Sequence, residues 1–344
     1  MLPSSSVAMI TYNGERFLQH QLDSLAEQTV LPDELVVCDD GSTDKTMEIL
    51  HRFAQTAPFP VRIYQNEKNL GVCDNFRKVF FLCEKEVTFF CDQDDVWFPQ
   101  KLEKVLKIME LESDVGMVVT YDLRIDEHGR PIHRRSHDEH VTPFLLRENS
   151  FRTLLSRKRF AWAAHNIACR TSYREMLFEK DFSPYSFDRW IFQVMGVMSQ
   201  VRTIPEPCCA FRRHGGNVTS RSRGKKNPFV LLYRAIQRRQ DVGNLYGEYK
   251  IWRQVITFLE KKKECQYPDG QILYQEIANH LRMRIEVITH PWKRLFLLAR
   301  EGCIRRYFRH SKGLRDILSD LLAWPQKLPE GLRREELPSS SELF

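Results

Sequence analysis

The sequence predicts an α/β fold, in which helices flank a mostly parallel β-sheet, followed by an α-helical C-terminal region. Apolar strand patterns alternate with helical patterns between residues 7 and 121, which is typical of a parallel sheet covered by helices. Polar motifs directly follow three of these strands, at the strand ends where such sheets bind their ligands. Beyond residue 224 the helical patterns continue without strands.

The first strand–helix units are marked by short apolar runs and by turn residues. Residues 7–11 form an apolar strand pattern, and residues 16–28 carry apolar side chains at helical spacing. Residues 35–38 predict the second strand, which ends at the turn sequence Asp39–Ser42.

The remaining elements follow in order along the chain. Residues 87–91 are uncharged and rich in β-branched and aromatic side chains, so we expect them to be the buried central strand. Further strands are predicted at 61–64, 115–121 and 160–169, and helices at 43–54, 72–82, 99–112 and 189–199.

Composition indicates a globular protein of a reducing compartment. The chain has 344 residues, of which 42% are hydrophobic and 28% charged, and this balance excludes a disordered or fibrous protein. Its nine cysteines show no metal-type spacing, so we expect reduced thiols. We find no secretory signal pattern and no apolar run of about 18 residues, and we therefore expect a cytoplasmic protein.

Charge is distributed unevenly along the chain. Residues 1–216 are mildly acidic, whereas residues 217–344 are strongly basic, and the whole chain has a net charge of +7. Nucleic acid, an anionic membrane surface or phosphorylated substrates could each account for the basic half.

Three carboxylates follow the predicted central strand within four positions: Asp92, Asp94 and Asp95. Crowded carboxylates repel one another unless a cation or hydrogen bonds offset the repulsion. Asp92 and Asp94 leave the same face of an extended strand end, and their hard oxygens suit Mg²⁺ or Mn²⁺. The alternative is an aspartate-rich turn that caps the helix starting near Pro99.

Four stretches of the chain together resemble the family 2 glycosyltransferases. They are VAMITYNGERFL (7–18), ELVVCDDGSTDKT (34–46), NLGVCDNF (69–76) and CDQDDVW (91–97). The resemblance is strongest to the bacterial rhamnosyltransferase-like branch, of which FRRHGGNVT (211–219) also resembles a signature, and it covers roughly residues 5–220. It implies a GT-A fold, which is Rossmann-like, and an inverting enzyme that uses nucleotide-diphosphate sugars.

The resemblance also implies a donor site. Asp40 would accept the imide N–H of uracil or thymine, and Asp92 would hold the ribose or ordered water. The other predicted donor-binding residues are Thr11, Tyr12, Asn13, Glu15, Arg77 and Arg213. Two alternatives stay open from the residues alone: Asp39 and Asp40 as an Asx turn, and Arg77 as an exposed helical arginine.

The same resemblance implies metal ligands and a catalytic base. Asp94 and His214 would hold Mg²⁺ or Mn²⁺, while Asp95 fits better as a cap of the next helix. Asp188 lies where the family carries its catalytic carboxylate, although Phe187 replaces the Glu or His that commonly precedes it. The alternative for Asp188 is the N-cap of helix 189–199.

We therefore expect an inverting, metal-dependent glycosyltransferase of the hexosyl type. The donor would be dTDP-rhamnose or a UDP-sugar, and the acceptor a cell-surface polysaccharide or lipid-linked oligosaccharide, as in lipopolysaccharide synthesis. One alternative is a nucleotidyltransferase, which would need a glycine-rich phosphate loop that residues 11–15 do not provide. Another is a non-enzymatic module that binds nucleic acid or membrane through the basic half.

Two domains are expected, at 1–224 and 225–344. The second carries helical patterns at 229–240, 244–263, 271–288 and 292–324, and its tail from residue 325 is expected to be frayed. Basic and aromatic residues in 292–324 fit a peripheral helix at the inner face of a bacterial membrane. Packing on the catalytic domain or on another subunit is the alternative, and no nucleic-acid partner is expected.

Overall fold

The computed structural model describes residues 1–132, 163–178, 186–217, 242–261, 268–289 and 298. These residues belong to two compact units. The first unit contains the described residues up to 217, and the second contains those from 242 onwards.

The first unit alternates strands and helices along the chain. Its strands are β1 (Ser5–Thr11), β2 (Glu34–Asp39), β3 (Val61–Gln65), β4 (Val87–Cys91), β5 (Val96–Trp97), β6 (Val115–Asp126), β7 (Ile167–Arg170) and β8 (Gln200–Arg213). Its helices are α1 (Leu18–Ala26), α2 (Thr46–Thr56), α3 (Val72–Leu82), α4 (Lys101–Leu111), α5 (Arg174–Leu177) and α6 (Phe187–Met198), with 3₁₀ turns at Ala164–Asn166 and Thr171–Tyr173.

All eight strands form one sheet in the order β3-β2-β1-β4-β7-β6-β8-β5. Four pairings, β1–β2, β1–β4, β2–β3 and β6–β8, are parallel. Three pairings, β4–β7, β6–β7 and β5–β8, are antiparallel. The predicted α/β class is confirmed, as a mixed sheet flanked by helices.

The core lies on both faces of the sheet, and consecutive residues of β4 show why. Phe89 and Phe90 point to opposite faces because side chains alternate along a strand. Phe89 joins a buried cluster with Leu22 of α1 and Leu106 of α4. Phe90 packs edge-on against Phe187 of α6, with ring centroids 4.9 Å apart. Burial on two faces explains why β4 is apolar throughout rather than alternating.

Predicted and observed elements agree best for helix 72–82 and strand 87–91, whose bounds are those of α3 and β4. Strand 160–169 was predicted too early, because Ala164–Asn166 form a 3₁₀ turn and β7 begins at Ile167. The capping alternative for the aspartate cluster is wrong: α4 begins at Lys101, its N-cap residue is Gln100, and no side chain makes a capping hydrogen bond there. β5 and β8 were not predicted.

The second unit contains two helices, α7 (Val242–Lys261) and α8 (Pro268–Thr289), which confirms the helical C-terminal region. They pack together through Trp252 and Tyr274, whose ring centroids lie 5.0 Å apart. The predicted helix 229–240, nearly all of 292–324, the tail and the boundary at 224 lie outside the described residues. Within the described part of the chain, no helix is long and apolar enough to cross a membrane.

Parallel pairing places the polar motifs at one edge of the sheet. Thr11 at the end of β1 pairs with Asp39 at the end of β2. Met9 of β1 pairs with Cys91, the last residue of β4, so that the aspartates after β4 reach the same edge. We call this edge the carboxyl edge.

The opposite edge is tied together by a buried carboxylate. Glu34 of β2 accepts hydrogen bonds from Ser6 Oγ at 2.6 Å, from Arg62 Nη2 at 2.7 Å and from the Glu84 amide at 2.7 Å. Burial alone would raise the pKa of Glu34, but these partners outweigh it and hold the pKa below its ordinary value. One side chain therefore joins β1, β2, β3 and the segment before β4.

We expect Glu34→Gln to lower the free energy of unfolding at pH 7 by about 1–3 kcal/mol, because it leaves buried donors without their charged acceptor. A carboxylate with a lowered folded-state pKa stabilises the protein above its unfolded pKa, and this contribution is lost as pH falls through the folded pKa. The difference from wild type should therefore shrink below roughly pH 4. Denaturant unfolding at several pH values measures it.

Glu48→Gln, at an exposed position of α2, is the matched control and should change stability little. Equal stability of Glu34→Gln and wild type at pH 7, or a difference that grows in acid, would contradict the assignment.

Candidate active site

The loops after β1 and β2 are joined by side chains. Asn13, in the left-handed region at φ 47°, donates its amide to Ser42 Oγ at 2.8 Å and accepts from the Thr43 amide at 2.9 Å. Glu15 accepts from the Lys45 amide at 3.1 Å. Asn13 and Glu15, both predicted to bind the donor, therefore hold the first loop against the second. Their donor-binding roles stay predictions.

Asp39 forms the Asx turn that the sequence left open. Its Oδ1 accepts from the Ser42 amide at 2.8 Å, and its Oδ2 accepts from Thr11 Oγ1 at 2.8 Å. Asp39 and Thr11 are almost completely buried, at 0% and 2% exposure. Thr11 thus lies beneath the site and supports the turn.

Asp40 organises a third loop, the one before α3. Its Oδ1 accepts from the Leu70 amide at 2.7 Å and from Asn66 Nδ2 at 2.8 Å, and its Oδ2 accepts from the Gly71 amide at 2.9 Å. A carboxylate has about four acceptor positions. Three of the Asp40 acceptor positions receive hydrogen bonds from these described residues, and the fourth, on Oδ2, remains for a ligand.

Gln93, the residue between the first two motif aspartates, clamps the first loop. Its Oε1 accepts from the Tyr12 amide at 2.8 Å, and its Nε2 donates to the Tyr12 carbonyl at 3.0 Å. A Cβ on Gly14 would collide with this Oε1, so a larger residue at position 14 would displace the Gln93 amide that holds Tyr12. The clamp leaves the Tyr12 side chain half exposed at the carboxyl edge.

A buried histidine lies among the carboxylates after β4. His165 Nδ1 is 3.2 Å from Asp92 Oδ2 and 3.1 Å from Asp95 Oδ2, and its Nε2 is 3.5 Å from Asp122 Oδ2. The His165 and Asp95 side chains are 1% and 0% exposed, whereas Asp92 is 29% exposed. The ring stacks on Phe211 of β8, with centroids 5.0 Å apart.

The surroundings of His165 favour its protonated form. Burial alone would lower its pKa, but the carboxylates of Asp95, Asp122 and Asp92 outweigh that effect and raise the pKa well above its ordinary value. Burial raises the pKa of Asp95, with Asp94 and Asp92 adding to the rise and His165 opposing it.

Asp94 faces a second histidine at the surface of the site. Its Oδ2 lies 2.8 Å from His214 Nε2 and accepts from Asn217 Nδ2 at 3.0 Å. The Asp94 and His214 side chains are 14% and 12% exposed. The two residues predicted to bind metal are therefore neighbours, and Asn217 was not predicted.

Arg212 and Arg213 differ in their surroundings. Arg212 is 4% exposed, donates its Nε to the Asp94 carbonyl at 3.0 Å and lies 4.9 Å from the centre of the Phe17 ring. Phe17 in turn contacts the His214 ring at 4.6 Å. Arg212 thus fixes the loop that carries Asp94. Arg213 ends β8 half-buried, and its predicted role toward a diphosphate stays a prediction.

Asp188 lies in the first turn of α6, where Ser186 is the N-cap, so the alternative that made Asp188 the cap is wrong. Its Oδ1 accepts from Ser186 Oγ and, at 2.8 Å, from the Arg189 amide. Phe187 is buried and stacks on Phe76 of α3 at 4.8 Å. This apolar anchor explains a phenylalanine where the family pattern has a polar residue. Asp188 also contributes to a raised pKa of Cys73 in α3, after burial, which places the two side chains near each other.

Arg77 lies on α3, the same helix as Cys73, and is partly buried. A contact to a phosphate group stays a prediction for it.

Two groups of side chains could hold a divalent cation. Asp92, Asp95 and His165 place one ligand atom each within 4.8 Å of one another. Asp95 and His165 are enclosed, at 0% and 1% exposure, which leaves little room there for the waters and phosphates that complete the shell of such an ion. Asp94 and His214 are partly exposed and supply the oxygen and imidazole ligands that Mg²⁺ and Mn²⁺ accept. The second pair fits a metal better.

Binding of a metal by His214 would require a particular tautomer of its imidazole. His214 Nδ1 accepts a hydrogen bond from the Gly216 amide at 3.1 Å, so Nε2 carries the proton and donates it to Asp94. A metal on Nε2 requires that proton to move to Nδ1, which breaks the bond to Gly216. Metal binding at His214 Nε2 would therefore cost the hydrogen bond between His214 and Gly216.

Comparison with known families identifies the first part of the chain. Residues 6–182, more than half of the chain, match the model of glycosyl transferase family 2.

Curated relatives agree. An uncharacterized glycosyltransferase of Nostoc sp. is 27% identical over 62% of this chain, and the chain covers 65% of that protein, which is less than two thirds. The amylovoran biosynthesis glycosyltransferase AmsE of Erwinia amylovora is 25% identical over 76% of this chain and 96% of its own length.

Solved structures share the fold. A mannosyltransferase from Pyrobaculum calidifontis, in complex with GDP-Man and Mn²⁺, superposes with a TM-score of 0.54 at 19% identity, covering 88% of this chain and 76% of that chain. Residues 1–349 of S. aureus TarS superpose with a TM-score of 0.52 at 15% identity, covering 93% of this chain and 81% of that chain. The GT-A fold expected from the sequence is confirmed.

Proposed function

The chain belongs to glycosyl transferase family 2, and from this premise we propose an inverting, metal-dependent transferase that uses a nucleotide-diphosphate sugar. The observation that carries the proposal is the meeting of Asp40, Asp92 and the Asp94–His214 pair at the carboxyl edge. A nucleotide-diphosphate sugar presents its base, ribose and diphosphate one after another, and its binding site needs a polar group for each of these parts. The transferred group is a hexose.

The donor base lies against Asp40 and Tyr12. The remaining acceptor position on Asp40 Oδ2 takes the imide N–H of uracil or thymine, and the half-exposed Tyr12 offers a ring for stacking. This chemistry favours a UDP-sugar or dTDP-rhamnose. The rhamnosyltransferase-like motifs support the second, while the related solved proteins were captured with GDP-Man and with UDP-GlcNAc.

Asp94 and His214 hold Mg²⁺ or Mn²⁺, which when bound offsets the negative charge that develops on the leaving nucleoside diphosphate. Arg213, at the end of β8 one residue before His214, adds a second positive charge to that phosphate. Asp92 hydrogen-bonds the ribose. Arg212 and Phe17 keep the Asp94 and His214 loops in place, through the contacts described above.

Asp188 is the proposed general base. It takes the proton from an acceptor hydroxyl, whose oxygen then attacks the anomeric carbon on the face opposite the leaving diphosphate, so the configuration inverts. Its position at the start of α6, anchored through Phe187 on α3, supports this role because α3 begins at the loop that Asp40 organises.

The proposed acceptor is a hydroxyl of a cell-surface polysaccharide or of a lipid-linked oligosaccharide. The relative named for amylovoran biosynthesis supports a polysaccharide. The proposed location is the cytoplasmic face of the bacterial membrane, reached through the basic segment 292–324, for which the sequence predicts helices. The same segment is also the proposed contact if the protein forms oligomers.

Asp94→Asn should lower the transfer rate by more than about a hundredfold, beyond the usual effect of residues that only orient a metal ligand. The amide keeps the size of the side chain and loses its charge, so the fold should persist. Transfer of labelled sugar, measured with and without EDTA, tests this. Asp23→Asn, on the exposed side of α1, is the matched control. Full activity in EDTA or in Asp94→Asn would contradict the metal assignment.

Asp188→Asn should reduce kcat by about 10²–10⁴-fold, the usual contribution of a general base, with little change in donor affinity. Steady-state kinetics together with calorimetric donor binding separate the two effects. Weakened donor binding at an unchanged kcat would instead make Asp188 a structural residue, and retention of most of kcat would move the base elsewhere.

A further inference from the structure

His165 is the buried charge at the carboxyl edge that the proposed transfer does not use. Its ring is 1% exposed, and three carboxylates surround it, two from the segment after β4 and one from β6. The ring stacks on Phe211, and Lys101 Nζ donates to the His165 backbone carbonyl at 2.5 Å, so both the ring and the backbone of His165 are held. The arrangement is therefore a built feature of the fold rather than a loose surface contact.

The charges in this cluster explain what the ring does. Asp92, Asp95 and Asp122 would repel one another if no cation lay among them. His165 Nδ1 is hydrogen-bonded to Asp92 Oδ2 at 3.2 Å and lies 3.1 Å from Asp95 Oδ2, which has no hydrogen-bond partner among the described residues. Nε2 faces Asp122, so the ring lies between all three carboxylates. Of these carboxylates Asp92 is the most exposed, at 29%, and is the one that reaches the donor site.

We propose that His165 is a positioning residue for the nucleotide donor. It hydrogen-bonds one oxygen of the Asp92 carboxylate and thereby orients this carboxylate toward the ribose. The inference rests on the proposed function. His165 acts as a fixed internal cation, and the divalent cation is left to Asp94 and His214. Removing the His165 imidazole should therefore weaken the binding of an anionic nucleotide without weakening the binding of Mn²⁺.

Three substitutions at this position separate the two ring nitrogens. His165→Phe keeps the stack on Phe211 and removes both donors. His165→Asn places an amide N–H near the position of Nδ1, which faces Asp92 and Asp95. His165→Gln places it near the position of Nε2, which faces Asp122.

The experiment measures two affinities on the full chain, UDP and dTDP binding by calorimetry at saturating Mn²⁺, and Mn²⁺ binding alone by electron paramagnetic resonance. His165→Phe and His165→Gln should lose about 10–100-fold in nucleotide affinity, the usual effect of residues that orient a binding group. His165→Asn should lose least, because it keeps the donor toward Asp92. Mn²⁺ affinity should stay the same or rise in all three.

His51→Phe, at an exposed position of α2, is the control and should bind both ligands like wild type. A lowered melting temperature with unchanged nucleotide affinity would overturn the proposal and make His165 a purely structural residue. Loss of Mn²⁺ binding would also overturn it, because His165 would then be a metal ligand.

Failure of the wild type itself to bind either nucleotide would overturn the proposed function, and this inference with it. If His165→Phe does not fold, the nucleotide affinities of the other two variants decide. His165→Asn should bind the nucleotide more tightly than His165→Gln, and equal affinities would refute the proposal.

Discussion

Repulsion among carboxylates at the end of β4 is the constraint on which the rest of this site depends. Asp92, Asp94 and Asp95 follow one strand within four positions, and Asp122 of β6 joins them through His165. The offsets are of two kinds: the buried ring of His165 lies beside Asp92 and Asp95, whereas His214 and Asn217 contact Asp94. Because the surroundings differ, we propose different tasks for neighbouring aspartates, with Asp94, near the surface, as the metal ligand.

The neighbouring loops solve a related problem, since backbone amides at strand ends need acceptors. Asp39, Asp40 and Asn13 accept from the amides of the loops around them, and Gln93 does so across the site for Tyr12. The loops are thereby built by the same polar residues that a family comparison assigns to the ligand. Supporting a loop and binding a donor are compatible for Asp40, whose Oδ2 retains an acceptor position.

The local sequence pattern predicted the elements whose burial follows directly from their own residues. It did not predict features that depend on contacts between residues far apart in the sequence. β4 and α3 were predicted with their observed bounds because one is apolar on two faces and the other is amphipathic. β8 was missed because Pro205 and Pro207 interrupt its pattern; the pairing with β6 shifts register opposite Pro207, where a strand tolerates proline. His165 and Gln93 gave no local signal, since their partners lie about 40 to 80 positions away in sequence and meet them only across the sheet.

The central claim is that this carboxyl edge binds a nucleotide-diphosphate donor through a divalent metal. Thermal unfolding of the full chain with UDP and dTDP, each with and without Mn²⁺, tests it most directly, because a ligand that binds the native state raises the melting temperature. The account predicts that at least one of the two nucleotides stabilises the protein, and only when Mn²⁺ is present. Equal stabilisation without Mn²⁺, or no stabilisation by either nucleotide under any metal condition, would contradict it.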